Sequence, residues 1–279
     1  MSNDTEGGSL SSARPVPSPD YPAYERLAIE RRGPVFICAL NDPKNLNAMS
    51  YQQMGEFNDF LQRVRLDDRC RVIVLTGEGR SFCAGFNLDE LAQDPPPDMG
   101  RVQRDFYIMQ RTCSDQVVNM RRCEQPIIGA LKGYAVGGGL SLACACDLRI
   151  LGESFKMNAG YLTVGLTGTD MGGSYYLPRI VGYARAAEIL MTGRRFAAET
   201  LAQWGFATRV VPDDEVLDAA VALANEIVSA TSPFGLRLTK ECLNASLDGS
   251  SFETVIKIEN RNQVLAASTQ DGRGGVAAM

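Results

Sequence analysis

The most restrictive stretch of the chain is Arg71-Val72-Ile73-Val74-Leu75-Thr76-Gly77. It is apolar almost throughout and stops at a glycine, the pattern of a strand covered on both faces. A two-sided strand needs a layer above and a layer below its sheet, which points to an α/β core. The neighbouring segments agree. Leu27 to Glu30 and Val35 to Leu40 read as two short strands broken by Arg32-Gly33-Pro34, a hairpin signature. Asn45 to Asn47 form a polar turn, and Ser50 then caps a helix reaching about Leu66. In that helix Met54, Phe57, Phe60, Leu61 and Val64 share one face. After a Pro/Asp-rich stretch from Asp94 to Asp98, a mostly polar helical segment runs to about Arg122. Pro126 to Leu131 and Leu148 to Leu151 are further strands. Between them, Leu140 to Ala145 carries only small or apolar residues, so its helix is packed on all sides.

Beyond Gly182 the chain reads as mainly helical, with Tyr183 to Met191, Ala197 to Trp204, Asp213 to Ser229, Pro233 to Ala245 and Phe252 to Ala267 as helices. Three regions follow. Residues 1–20, rich in Ser, Pro, Gly and Asp, are expected to be a disordered tail. Residues 21–195 form the α/β core, and residues 196–279 a helical C-terminal region.

Composition narrows the chemistry. The 279 residues include no histidine, which excludes Ser–His and Cys–His nucleophile pairs and His-liganded metal. Proton transfer then falls to carboxylates, Tyr, Cys, Lys or water. With 28 Lys+Arg against 33 Asp+Glu, a net charge of −5, the chain lacks the basic footprint of a nucleic-acid binder. Its eight cysteines form no C-x-x-C pair, and several sit in apolar runs such as Phe36-Ile37-Cys38-Ala39. They read as reduced core residues of a cytoplasmic protein, with no metal site. No apolar run is long enough to cross a membrane, and the N-terminal residues lack the apolar segment of a signal peptide.

Two glycine loops, each after a buried strand, stand out: Ala84-Gly85-Phe86 and Gly137-Gly138-Gly139. Neither fits G-x-x-x-x-G-K-[ST] or G-x-G-x-x-G. On spacing alone two readings stay open. Both are tight turns, or the free N–H groups where Gly137 to Gly139 open a helix join the N–H of Phe86 in an oxyanion hole.

The ordered motifs settle on a family. Leu40-Asn41-Asp42-Pro43-Lys44-Asn45-Leu46-Asn47-Ala48-Met49 comes first, then Phe82-Cys83-Ala84-Gly85-Phe86-Asn87-Leu88. Lys132 to Leu140 follows with Cys146-Asp147, then Leu177 to Gly182 and Ala202-Gln203-Trp204-Gly205. From about Tyr24 to Asp271 the chain resembles the enoyl-CoA hydratase/isomerase (crotonase) family. The resemblance implies an α/β spiral of ββα units with a C-terminal helical trimerisation region, assembled as a homotrimer or a dimer of trimers. It implies an acyl-CoA substrate, with coenzyme A as part of that substrate and no permanently bound cofactor. The catalytic N–H groups would be those of Phe86 and Gly138. Lys44, Leu46, Ala48, Ala84, Asn87, Leu88 and Gly137 would line the CoA and acyl path. Lys240 resembles a family lysine near the CoA phosphates, although Lys44 and Lys240 read equally well as solvated surface charges.

The chain departs from the family where its hydratases carry two glutamates that activate water. The first position is Ser141; the second is Ala159 or Tyr161, depending on the end from which the segment is counted. Asp170 remains, in Gly168-Thr169-Asp170-Met171-Gly172-Gly173. It is similar in placement to an aspartate of the family's dienoyl-CoA isomerases and to the nucleophilic aspartate of its aromatic dehalogenases. It reads as the proton-transfer group or as a turn residue before a helix. Ser141 and Tyr161 are candidates for acyl contact, and Phe86, Met109, Tyr161 and Leu166 for the pocket wall. Asp147 reads as structural. Three functions follow. One is an isomerase or atypical hydratase working through an enolate. Another is a non-catalytic acyl-CoA binder. The third is a hydrolase with Asp170 as nucleophile, disfavoured because the related dehalogenases also need a histidine.

Overall fold

The computed structural model describes residues 19–267 and Thr269. The tail expected over 1–20 therefore lies outside the described residues, apart from Pro19 and Asp20. Strands β1 (Leu27–Arg32) and β2 (Val35–Leu40) form the expected antiparallel hairpin, with Gly33 at φ 61 in its turn. Helix α1 (Tyr51–Val64) is capped by Ser50, whose Oγ accepts from the Gln53 N–H at 3.1 Å. All five residues of its expected apolar face are buried. Fully burying a side chain the size of Phe57 or Phe60 contributes roughly 1.5–3 kcal/mol.

Strand β3 (Val72–Gly77) is followed by α2 (Leu88–Ala92) and α3 (Arg101–Arg104). A wide π turn (Asp105–Gln110) joins α3 to α4 (Arg111–Arg122). Next come β4 (Ile127–Leu131), β5 (Tyr134–Val136), α5 (Gly138–Ala145), β6 (Leu148–Gly152) and β7 (Lys156–Asn158). A short 3-10 turn (Gly160–Val164) precedes α6 (Gly173–Val181) and α7 (Tyr183–Thr192). Then β8 (Phe196–Ala197), α8 (Ala198–Gln203) and β9 (Arg209–Val211) lead to α9 (Val216–Ala230), α10 (Pro233–Leu247) and α11 (Phe252–Ala267). All eight residues of α5 are buried.

The larger sheet has the order β1-β2-β3-β4-β6-β9 and is parallel except for the edge strand β1. Alternate residues of β3 enter two different cores. Ile73 and Leu75 pack with the buried faces of α1 and α5, while Val72 and Val74 pack with Val216, Ala220, Val221 and Ala224 of α9. That is the physical basis of the continuous apolar run. A second sheet, β5-β7-β8, was not legible in the sequence. Its strands are two or three residues long, too short for a periodic pattern. Two successive units, β4-β5-α5 and β6-β7-α6, each place one strand in the large sheet and the next in the small one, with a helix following. This is the ββα spiral that the resemblance implied.

The stretch 196–279, expected to be helical, also contributes β8 and β9 to the two sheets, and its α9 covers one face of the large one. All eight cysteines are free thiols, seven of them buried. Among the described residues no helix is long and apolar enough to cross a membrane, and no cluster of three metal-ligating side chains occurs.

Candidate active site

The two glycine loops are stitched together. The Cys83 N–H donates to the Tyr134 carbonyl at 2.9 Å, and the Val136 N–H returns to the Cys83 carbonyl at 3.0 Å. A side chain at Gly139 would put its Cβ 2.3 Å from the Cys83 carbonyl oxygen. Gly85 has φ +93, and a Cβ there would sit 2.7 Å from the Val136 oxygen. Both glycines are required by close backbone approach.

This contact aims two N–H groups. The Met49 N–H donates to the Gly85 carbonyl at 2.8 Å, and the Asn87 N–H donates to the Met49 carbonyl at 3.0 Å. In such a parallel bridge the residue between, Phe86, turns its own N–H the other way. Gly138 opens α5, so its N–H has no acceptor within the helix. Among the described residues neither N–H has an acceptor. Both residues line a cavity of about 280 Å³.

The cavity wall is mainly apolar. Phe86, Met109, Tyr161 and Leu166, the four residues expected there, all line it, as do Ala84, Leu88, Gly137 and Asp170. Among the described residues Asp170 is the only carboxylate that lines it, and no Lys or Arg does. The Cys113 thiol also reaches the wall, but burial pushes its pKa up to about 12, so it is protonated at neutral pH.

Asp170 is held at several points. Its Oδ1 accepts from the Met171 N–H at 2.7 Å and from the Gln110 side-chain amide. Its backbone carbonyl accepts from Ser141 Oγ at 2.8 Å. No hydrogen bond to Oδ2 occurs among the described residues. Burial raises the pKa of this carboxyl above the usual aspartate value, and the two hydrogen bonds to Oδ1 oppose that rise only in part. Helix α6 starts at Gly173 with Gly172 in the cap position, so Asp170 is not its N-cap.

Ser141 and Tyr161, at the family's glutamate positions, engage each other at 3.1 Å. Since Ser141 gives its single hydrogen to the Asp170 carbonyl, Tyr161 is the donor. Burial pushes the Tyr161 hydroxyl well above its ordinary pKa. Among the described residues no carboxylate stands at either of these two positions.

The other expected site residues spread outward. Lys44 is exposed on a short 3-10 turn (Pro43–Asn45). Leu46 and Ala48 flank the site, and the Leu46 carbonyl accepts from the Ala84 N–H at 3.0 Å. The Asn87 side chain caps α2, accepting from the Asp89 N–H at 3.0 Å. Lys240 is not among the described residues that line the cavity, and of its two expected readings that of a solvated surface charge is overturned. Its ammonium is buried and donates to Asp147 Oδ2 at 2.7 Å and to the Gln125 and Met120 carbonyls at 3.1 and 3.4 Å. Asp147 also accepts from the Ile127 N–H at 2.8 Å, the structural role expected of it.

Sequence reasoning missed Gln110, which lies in a polar helical stretch that carries no signal of its own. It also left Asn47 as a turn residue. The Asn47 side chain is fully buried and donates to the Glu78 and Ser81 carbonyls at 3.0 and 2.8 Å, tying the segment that leads into the first glycine loop to the turn before α1.

Comparison with known proteins agrees with this geometry. The family model for enoyl-CoA hydratase/isomerase matches residues 30–279. A Mycobacterium bovis protein named "Probable enoyl-CoA hydratase echA12" is 37% identical over 227 residues, covering 81% of this chain and 79% of that one. The 1,2-epoxyphenylacetyl-CoA isomerase of Escherichia coli is 35% identical over 248 residues, covering 88% and 91%. The crystal structure of a probable enoyl-CoA hydratase/isomerase from Mycobacterium abscessus superposes with a TM-score of 0.81 at 30% identity, covering 91% of this chain and 94% of that one. The chain belongs to the enoyl-CoA hydratase/isomerase family and carries its fold.

Proposed function

We propose that the protein moves a proton on an acyl-CoA thioester by way of an enolate, as an isomerase rather than a two-glutamate hydratase. The observation that carries this reading is a lone carboxylate, Asp170, with one oxygen unclaimed, in the same apolar cavity as two N–H groups that have no acceptor. The thioester carbonyl accepts from the Phe86 and Gly138 N–H groups. Asp170 Oδ2 removes the α-proton, and the electron pair moves onto the carbonyl oxygen as the enolate forms. The protonated carboxyl then returns the proton at the γ-carbon, which shifts the double bond. One N–H donor of this kind is worth about 3–4 kcal/mol in a related acyl-transfer setting. Hydration is disfavoured because Ser141 and Tyr161 are neutral and hydrogen-bonded to each other. An apolar wall without Lys or Arg suits an uncharged acyl or aryl group.

The family's CoA path is retained in this reading at Lys44, Leu46, Ala48, Ala84, Asn87, Leu88 and Gly137, without Lys240. A trimer or dimer of trimers is supported by large apolar side chains exposed on the outer helices, among them Leu243, Phe252 and Val264. Eight free thiols fit a cytoplasmic location.

The test is solvent exchange. A β,γ-unsaturated hexenoyl-CoA in deuterium oxide should acquire α-deuterium and convert to the α,β-isomer. The Asp170→Asn variant should lose this activity by about 10²–10⁴-fold while still binding acyl-CoA. Undiminished exchange in that variant removes Asp170 from the mechanism. Tight binding with no exchange or conversion in the wild type, across a panel of acyl-CoAs, supports the non-catalytic reading instead.

A further inference from the structure

We propose that Gln110, carried on the π turn Asp105–Gln110, is a positioning residue that clamps one oxygen of Asp170 so that the other faces the acyl cavity. The proposal rests on the reading of Asp170 as the proton carrier. A π turn places more residues in each turn than an α-helix, and such turns recur at functional sites. Here it is the last turn before α4, and Met109, Gln110 and Cys113 line the cavity together while Phe106 and Tyr107 stay exposed. The Gln110 amide donates to Asp170 Oδ1, which already accepts from the Met171 N–H at 2.7 Å. Two donors hold the carboxylate at Oδ1, and Ser141 holds the backbone that carries it through the Asp170 carbonyl at 2.8 Å. Oδ2 is left to the substrate.

A neutral donor on Oδ1 also selects the ionised carboxylate, the form that acts as base. The titratable groups near Asp170 are the Cys113 thiol of α4 and the Tyr161 hydroxyl of the 3-10 turn. Both are held protonated by burial, and no charged group contributes to the Asp170 shift. Gln110 is therefore the side chain whose removal should move the titration of Asp170.

The experiment uses the full-length protein and two variants that keep bulk but remove the amide, Gln110→Met and Gln110→Leu. The carboxyl titration is followed by infrared difference spectroscopy, with the Asp170 band identified by its loss in Asp170→Asn. Losing a hydrogen bond to a charged acceptor should raise the midpoint by about one pH unit and lower turnover of β,γ-unsaturated hexenoyl-CoA about tenfold at neutral pH. An unchanged midpoint in a folded Gln110 variant overturns the clamp. That outcome is separate from failure of the underlying reading, which appears as full turnover in Asp170→Asn or as no turnover in the wild type. Unfolding of one variant leaves the other, and the midpoint needs no substrate.

Discussion

Asp170 and Asp147 are two partly buried carboxylates in the same α/β core, and their surroundings differ in one respect. Asp147 faces the buried ammonium of Lys240 at 2.7 Å and accepts from the Ile127 N–H, so it ties α10 to the start of β4. Asp170 has only neutral donors, the Gln110 amide and the Met171 N–H, and faces an apolar cavity. A carboxylate paired with a cation and a backbone N–H acts as a fastener. One without a cation, desolvated, binds a proton more readily and can hand it over. On the proposed mechanism the contrast gives opposite roles to two residues of the same type.

Exchanging each carboxylate for its amide breaks this comparison most directly. Asp170→Asn should lower proton exchange by about 10²–10⁴-fold and cost no stability, because an amide oxygen can still accept both hydrogen bonds. Asp147→Asn should do the reverse. It strands the Lys240 ammonium and should cost about 3 kcal/mol of unfolding free energy, the low end of the range because Asp147 is partly solvated. Acyl-CoA affinity should survive, since Lys240 is not among the described residues that line the cavity. Denaturant titration and isothermal calorimetry separate the two outcomes, and a large loss of acyl-CoA affinity in folded Asp147→Asn would return Lys240 to the binding site.

The same contrast predicts a pH effect. The pKa of Asp170 is raised on folding, so its favourable contribution to stability is complete below the unfolded value near 3.8 and is lost as pH rises through the higher folded value. Asp170→Asn should therefore gain stability relative to wild type as pH rises through that window. In wild type the exchange rate should climb through the same window as the base ionises. A rate limb at or below the ordinary aspartate value would argue against the desolvated carboxylate as the base.

The smallest expected effect belongs to Tyr161→Phe. It removes one donor from Ser141 and leaves the bond from Ser141 to the Asp170 carbonyl in place. Turnover should fall only a few-fold, since one neutral hydrogen bond is worth about 1 kcal/mol. A loss as large as that of Asp170→Asn would show that Tyr161 takes part in proton transfer.

Legibility followed the range of the interaction. The Ser50 cap and the apolar face of α1 were readable because both depend on residues within a few positions of one another. The two-sided strand β3 was readable because burial on both faces writes itself into every residue of the run. The strands of the small sheet were not, being held by pairing across the spiral over two or three residues. The reading of Lys240 as a solvated surface charge failed because its partner Asp147 lies 93 positions away in the chain.

The sequence by itself determined the α/β layering, the family and the chemistry left open. Without histidine, and with Ser141 and either Ala159 or Tyr161 in place of the family's glutamates, any acid–base work at the site falls to a carboxylate such as Asp170 or to no base at all. Tertiary structure decided which carboxylate meets a cation and which meets only neutral donors. Proton affinity depends on the charges and dipoles within a few ångströms, and folding alone brings Gln110 to Asp170 across 60 positions and Lys240 to Asp147.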